Sequence, residues 1–419
     1  MQEITRYDFK KKPKKSNFLM YPLKWIAAYP YLWTRGFKCK KVNMEGLKPP
    51  YLLLCNHGST MDYRMMFRSI APYNPNYVVA LDGIRDNGEF IMRLFGTIGK
   101  RKFIHDLSLI RNLKYCVNEL KTIVCIYPEA RYSFDGTTSY LPDSLGSLAR
   151  MLGVPVVVLN MRGNFLSCPQ WNKIHKKVPL EATLTQIATA EEVKNLPAGE
   201  INMWIHQALI YDDFRYQQDN HIRIAHPQRA FGLNRLLYQC AHCGTEYQMN
   251  AQGIHLWCDA CNKKWELTEY GELKALEGET IFSHIPDWYR WERQNVRNEV
   301  RNGTYRFERE VDVETLPNAK RFYKQGIGKL LHTVEVLRLE CMAYGKKKLL
   351  ELSPQALESV HIEYDYKKLG DSLDISEHDD SFWIHPKNVK DVITKIALAT
   401  EEIHAFALEN SPKLRRTKA

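Results

Sequence analysis

The run Asn56-His57-Gly58-Ser59-Thr60-Met61-Asp62 sets a histidine five residues ahead of an aspartate. A histidine held by a carboxylate can take a proton from a hydroxyl at neutral pH, because its ring titrates in that range. The apolar run Tyr51-Leu52-Leu53-Leu54-Cys55 directly precedes it and reads as a buried strand. His57 then emerges at a strand end, where α/β enzymes place their chemistry. A second element, Ile126-Tyr127-Pro128-Glu129-Ala130-Arg131-Tyr132-Ser133, again follows an apolar run, and Leu152-Gly153-Val154-Pro155-Val156-Val157-Val158 is a third. Taken alone, the pair could simply cap the helix that begins near residue 60. The order and spacing of the three elements favour proton-transfer chemistry.

A second constellation is Cys240-Ala241-His242-Cys243 and Cys258-Asp259-Ala260-Cys261, two Cys-x2-Cys pairs with fourteen residues between them. Each pair forms a tight knuckle, and four thiolates close a tetrahedral shell around zinc. A closed four-cysteine site leaves no open position, so the metal expected at Cys240, Cys243, Cys258 and Cys261 is structural. Two disulfides are the alternative, disfavoured if the compartment is reducing.

The first half of the chain resembles the 1-acyl-sn-glycerol-3-phosphate acyltransferase family. Its Asn-His-x4-Asp motif is matched by Asn56, His57 and Asp62, and its Val-Pro-Val-like strand by Val154-Pro155-Val156. Its Gly-x-x-Phe-Ile-x-Arg-like stretch is matched loosely by Gly99-Lys100-Arg101-Lys102-Phe103-Ile104. Its Phe-Pro-Glu-Gly-Thr-Arg-Ser motif meets Tyr127-Pro128-Glu129-Ala130-Arg131-Tyr132-Ser133. The resemblance spans roughly residues 20–225. It implies transfer of a fatty acyl group from acyl-CoA or acyl-carrier protein to a hydroxyl of a lysophospholipid-like acceptor. His57 would be the base and Asp62 its orienting carboxylate, and no serine or cysteine sits in a nucleophile-elbow pattern. The resemblance also implies substrate binding by Asn56, Lys100, Arg101, Lys102, Glu129, Arg131 and Ser133, with Arg131 on the acceptor's phosphate and Lys100, Arg101 and Lys102 on a phosphate of the acceptor or of the donor's pantetheine carrier. One departure matters: the arginine comes one position early, and Tyr132 stands in its place. A one-residue shift after a strand can turn a side chain to the other face.

The elements that must position these residues are legible as alternating strands and helices from residue 50 to about 165. Candidate strands are 51–55, 77–81, 123–127 and 154–160; candidate helices are 62–70, 87–95, 108–121 and 144–152, with a closing helix over 199–219. The expected fold is α/β: a mostly parallel sheet flanked by helices, then a small zinc ribbon and a C-terminal β-rich unit with a closing helix. Expected boundaries are 1–40 for a basic arm and interfacial segment, 41–228 for the acyltransferase-like domain and 229–272 for the ribbon. A linker helix over 273–302 and the β-rich unit over 303–419 complete the chain. That last unit resembles a pleckstrin-homology-like barrel only in outline.

Net charge is +11 across 419 residues, which suits an anionic partner. Residues 1–16, with five lysines, read as a loose basic arm, and 18–33 as an aromatic segment for an anionic membrane interface. Nucleic acid is a weaker partner, because 240–261 carries no lysine or arginine. No run of 18 apolar residues and no leader pattern is present, so a cytoplasmic protein, peripheral at the inner face of a membrane, is expected. The remaining alternatives are another lipid or glycolipid acceptor, or a non-catalytic lipid- or nucleic-acid-binding zinc protein.

Overall fold

The computed structural model describes residues 4–104, 106–366 and 369–411. The basic tail 413–418 lies outside them. Seven strands of the first sheet are β1 (Lys38–Val42), β2 (Leu52–Cys55), β3 (Pro75–Ala80), β4 (Thr97–Lys100), β5 (Ile123–Ile126), β6 (Val156–Arg162) and β7 (Glu181–Ala188). They lie in the order β1-β7-β6-β2-β5-β3-β4, and all pairs are parallel except β6 with β7. The central strands are continuous apolar runs because both faces are covered.

Helices α1 (Tyr21–Trp33) and α2 (Asp62–Ile70) cover one face, where Leu53, Cys55, Val157 and Leu159 pack with Ala28, Leu32, Met65 and Met66. The short helices α3 (Leu81–Asn87) and α4 (Glu89–Leu94) join β3 to β4. Helix α5 (Leu107–Asn118) and helix α6 (Leu145–Leu152) cover the other face, packing with Leu52, Leu54, Val156 and Val158. After β6 come α7 (Asn164–Ser167), and after β7 α8 (Ala190–Asn195), α9 (Ala198–Ala208) and α10 (Asp213–Asp219). The single helix expected over 199–219 is therefore two. Asp212 breaks it, its carboxylate accepting from the Arg215 N–H at 2.8 Å as the cap of α10.

The second sheet is antiparallel: β8 (Met249–Gln252), β9 (His255–Cys258), β10 (Lys264–Leu267) and β11 (Leu273–Ala275). Helix α11 (Ile285–Arg301) follows. The third sheet holds β12 (Arg306–Thr315), β13 (Tyr323–Thr333), β14 (Leu337–Ala343), β15 (Lys346–Leu352), β16 (His361–Glu363), β17 (Ser372–Ser376) and β18 (Ser381–Pro386). Its order is β15-β14-β13-β12-β18-β17-β16, antiparallel throughout, and α12 (Ile393–Glu409) closes the unit.

One apolar core crosses the expected boundaries. It runs from Phe134, Phe165, Trp171 and Phe214 through Leu256, Trp265 and Trp288 to Val311, Leu339, Ile384 and Ile396. The described part of the N-terminal arm is not loose. Its backbone and side chains strap the first sheet to the third: Tyr7 N–H donates to Pro317 O at 3.0 Å, and Arg6 pairs with Asp380 at 2.7 Å. Farther along, Asn112, Arg93 and Asn76 donate to the carbonyls of Phe9, Lys12 and Lys14. A Cβ on Gly99 would come within 2.5 Å of the Tyr7 hydroxyl, so glycine there admits the strap. The lysine-rich composition hid this, because the docking uses backbone groups and aromatics.

Candidate active site

His57 leaves the end of β2, and Asp62 opens α2. The His57 Nδ1 lies 2.8 Å from Asp62 Oδ2. Asp62 is 1% exposed, yet its oxygens are richly served: the N–H groups of Gly58 (2.8 Å) and Ser59 (3.1 Å), the Ser59 hydroxyl (3.3 Å) and Asn164 Nδ2 (2.7 Å) all donate to it. Both oxygens of this buried carboxylate are thus satisfied inside the chain. With Nδ1–H donated to Asp62, the imidazole keeps the lone pair of Nε2 for a proton. Gly58 is required by close approach: a Cβ would sit 2.6 Å from Asn164 Nδ2.

Tyr127 and Tyr132 flank the imidazole, with ring centres 4.4 and 4.1 Å away. The shift in the Pro-Glu-Ala-Arg motif thus brings Tyr132, not Arg131, against His57. Ala130 between them holds φ of +54°, a conformation that favours glycine. Glu129 supports the backbone: it accepts from the His57 N–H and the Ser139 N–H, both at 2.9 Å, and from the Tyr211 hydroxyl at 3.2 Å. Burial pushes its carboxyl up to about 7 against those donors.

Two other expected binding residues do scaffold work. Asn56 exchanges both its amide bonds with the Met161 backbone, at 2.9 and 2.7 Å, extending the β2–β6 ladder past Cys55. Ser133 Oγ donates to Thr137 O at 2.7 Å and accepts from Gly136 N, closing a turn. Neither nearby thiol nor hydroxyl is free to act as nucleophile. Cys55 is buried against Cys125 and its thiol is pushed well up by burial, while Ser59 is buried on Asp62.

Three of the cations expected on a substrate phosphate, Arg101, Lys102 and Arg131, are engaged inside the chain. Arg101 donates to the carbonyls of Leu316 (2.8 Å), Pro317 (3.0 Å), His378 (3.3 Å) and Asp379 (3.0 Å) and to Ser381 Oγ (2.8 Å). Lys102 reaches Asp82, Asp374 and His361 Nδ1 at 3.0–3.1 Å. Arg131 pairs with Glu401 at 2.5 Å and donates to Ser359 Oγ at 2.7 Å. Burial alone would raise the Glu401 carboxyl, but Arg131 and Arg293 outweigh it and hold it at about 2. Lys100 is half-buried, and burial lowers its ammonium despite Asp106 and Glu358. Each acceptor on the third sheet or α12 lies more than 200 residues away in sequence, beyond the reach of any motif.

Away from this edge, the sulfurs of Cys240, Cys243, Cys258 and Cys261 all lie within 4.8 Å of one another. Two of the pairs, Cys240 with Cys261 and Cys243 with Cys258, are 3.8 Å apart. A regular tetrahedron with metal–sulfur bonds of about 2.3 Å has edges of about 3.8 Å, so the four cysteines fit a metal ion.

No curated protein sequence matches the chain. The crystal structure of the 1-acyl-sn-glycerophosphate (LPA) acyltransferase PlsC from Thermotoga maritima is similar at 13% identity over 46% of this chain and 77% of that one, with a TM-score of 0.36. Residues 38–162 match the family model described as Acyltransferase. That match runs from β1 to the end of β6 and includes His57, Asp62 and Glu129.

Proposed function

We propose that the protein transfers an acyl group from a thioester of coenzyme A or acyl-carrier protein to a hydroxyl of a lysophospholipid-like or related lipid acceptor. The observation that carries the reading is the 2.8 Å contact of His57 Nδ1 with a fully supplied Asp62. His57 Nε2 takes the proton of the acceptor hydroxyl as its oxygen attacks the thioester carbonyl. Collapse of the tetrahedral adduct breaks the carbon–sulfur bond, and the thiolate leaves with the proton from Nε2. Asp62 stabilises the imidazolium in between. The buried state of Cys55 and Ser59 supports direct transfer over an acyl-enzyme.

Helix α1 supports work at a membrane surface. Leu23, Ile26 and Trp33 are exposed, Ile26 to 71% and Trp33 to 74%, while Ala28 and Leu32 pack inward. Lys24 points inward too, onto Ser16 and Asn74. No helix among the described residues is long and apolar enough to cross a membrane, and α1 suits the interfacial plane. Zinc at the four cysteines would hold the knuckles of the ribbon together.

The test is label transfer from acyl-CoA or acyl-carrier protein to a panel of lysophospholipids and glycolipids, with His57→Ala beside the wild type. The variant should lose about 10²–10⁴-fold in rate. Transfer undiminished in the variant would remove His57 as the base, and transfer to no acceptor by the wild type would remove the reading.

A further inference from the structure

Two groups of cations stand out, and the chain balances only one of them. Arg101, Lys102 and Arg131 end on carbonyls and carboxylates of the C-terminal unit. That unit shares a continuous core with the unit of the first sheet, so it is not a flap that swings away to free them.

The second group is Arg35, Arg64 and Lys176. The guanidinium carbons of Arg35 and Arg64 lie 3.7 and 4.6 Å from the centre of one ring, Tyr31. The Tyr31 hydroxyl is 3.4 Å from Ser167 Oγ, and the Lys176 N–H donates to Ser167 O at 2.7 Å. Ser167 ends α7, and Asn164 at its start donates to Asp62. One turn of helix therefore joins the cluster to the catalytic carboxylate, and Arg64 follows that carboxylate by two residues. Among the described residues none of the three makes an ion pair. Lys176 is 4% exposed, and its Nζ has one long bond, 3.4 Å to Ile174 O. Arg35 Nε is buried without a partner. Burial brings the Lys176 ammonium down to about 8, and burial together with Arg35, Arg64 and Lys176 lowers His175.

Like charges gathered without a carboxylate are costly unless an anion completes them. Planar guanidinium forks suit a phosphate, and coenzyme A, acyl-carrier protein and a lysophospholipid acceptor each carry one. We propose that Arg35, Arg64 and Lys176 bind a phosphate group of the reacting substrate. The term substrate rests on the acyltransfer reading above; the phosphate site does not.

The experiment uses the full chain with Arg64→Gln and Lys176→Met, singly and together. Kinetics compare acyl-CoA with an acyl-pantetheine thioester that lacks its phosphates, and a soluble short-chain acceptor with and without its phosphate. The KM of one phosphate-bearing substrate should rise about 10- to 100-fold with kcat little changed, and its phosphate-free analogue should not respond. The pair that responds names the source. Unchanged KM values for all four, or equal losses with and without phosphate, would overturn the site. In parallel, inorganic phosphate should raise the Tm of the wild type and not of the double variant; no rise in the wild type would overturn it too. A rise without any acyl transfer would leave the phosphate site standing and discard the acyltransfer reading. Loss of flotation with anionic vesicles, with every KM intact, would reassign the cluster to membrane headgroups and overturn the substrate role.

Discussion

Arg131 and Lys176 are both 4% exposed and opposite in what surrounds them. Arg131 meets Glu401 and Ser359. Lys176 meets one distant carbonyl. A buried cation with its carboxylate is part of the scaffold, whereas one without a partner is held at a cost and awaits an anion. Burial alone does not separate these two roles; the inventory of partners does.

Substitution of each residue by methionine tests the contrast through its sign. Arg131→Met should lower stability by about 2–4 kcal/mol in urea unfolding, because the buried Glu401 loses its nearest cation and keeps only Arg293 and Ser359. Adding Glu401→Gln should recover part of the loss, and no recovery would mean the pair is not the cause. The same pair should show in acid. Glu401 is held at about 2, below its unfolded value near 4.3, so its stabilisation is full above pH 4.3 and is lost as pH falls towards 2. Unfolding free energy should therefore fall by about 3 kcal/mol over that window, and the Arg131→Met/Glu401→Gln double variant should show a shallower decline. Lys176→Met should instead raise stability at pH 7, by about 1–3 kcal/mol, since it removes a desolvated ammonium. A loss there would show that Lys176 belongs to the scaffold like Arg131. The smallest expected effect lies between the two regions: Ala130→Gly should add about 0.5–1 kcal/mol by relieving the left-handed backbone beside Arg131. An unchanged or lower midpoint would show that Ala130 carries no such strain.

What the sequence disclosed and what it withheld divide by distance along the chain. His57 and Asp62 are five residues apart, and α2 starts at Asp62 as the spacing indicated. The Cys-x2-Cys pairs are likewise local, and their sulfurs converge. Asn164, which holds Asp62 from 102 residues away, had no signal of its own beyond the glycine at 58 that its approach requires. Edge strands were missed for another reason: β1, Lys-Cys-Lys-Lys-Val, has no buried face to pattern, and β4 is four residues with a glycine. The basic residues were read from charge alone, and charge says nothing about which carboxylate or carbonyl a fold will bring to them.

The N-terminal strap has a consequence in time as well as in space. Tyr7 donates to Pro317, and Arg6 pairs with Asp380. At about 5–20 residues per second, a ribosome takes about 15–60 s to reach Pro317 after Tyr7, and longer to reach Asp380. The first sheet can form within that interval, but the strap and Arg101 must wait for their partners. The strap is thus made before its partners and fastened after them, and its closure joins the first sheet to the third.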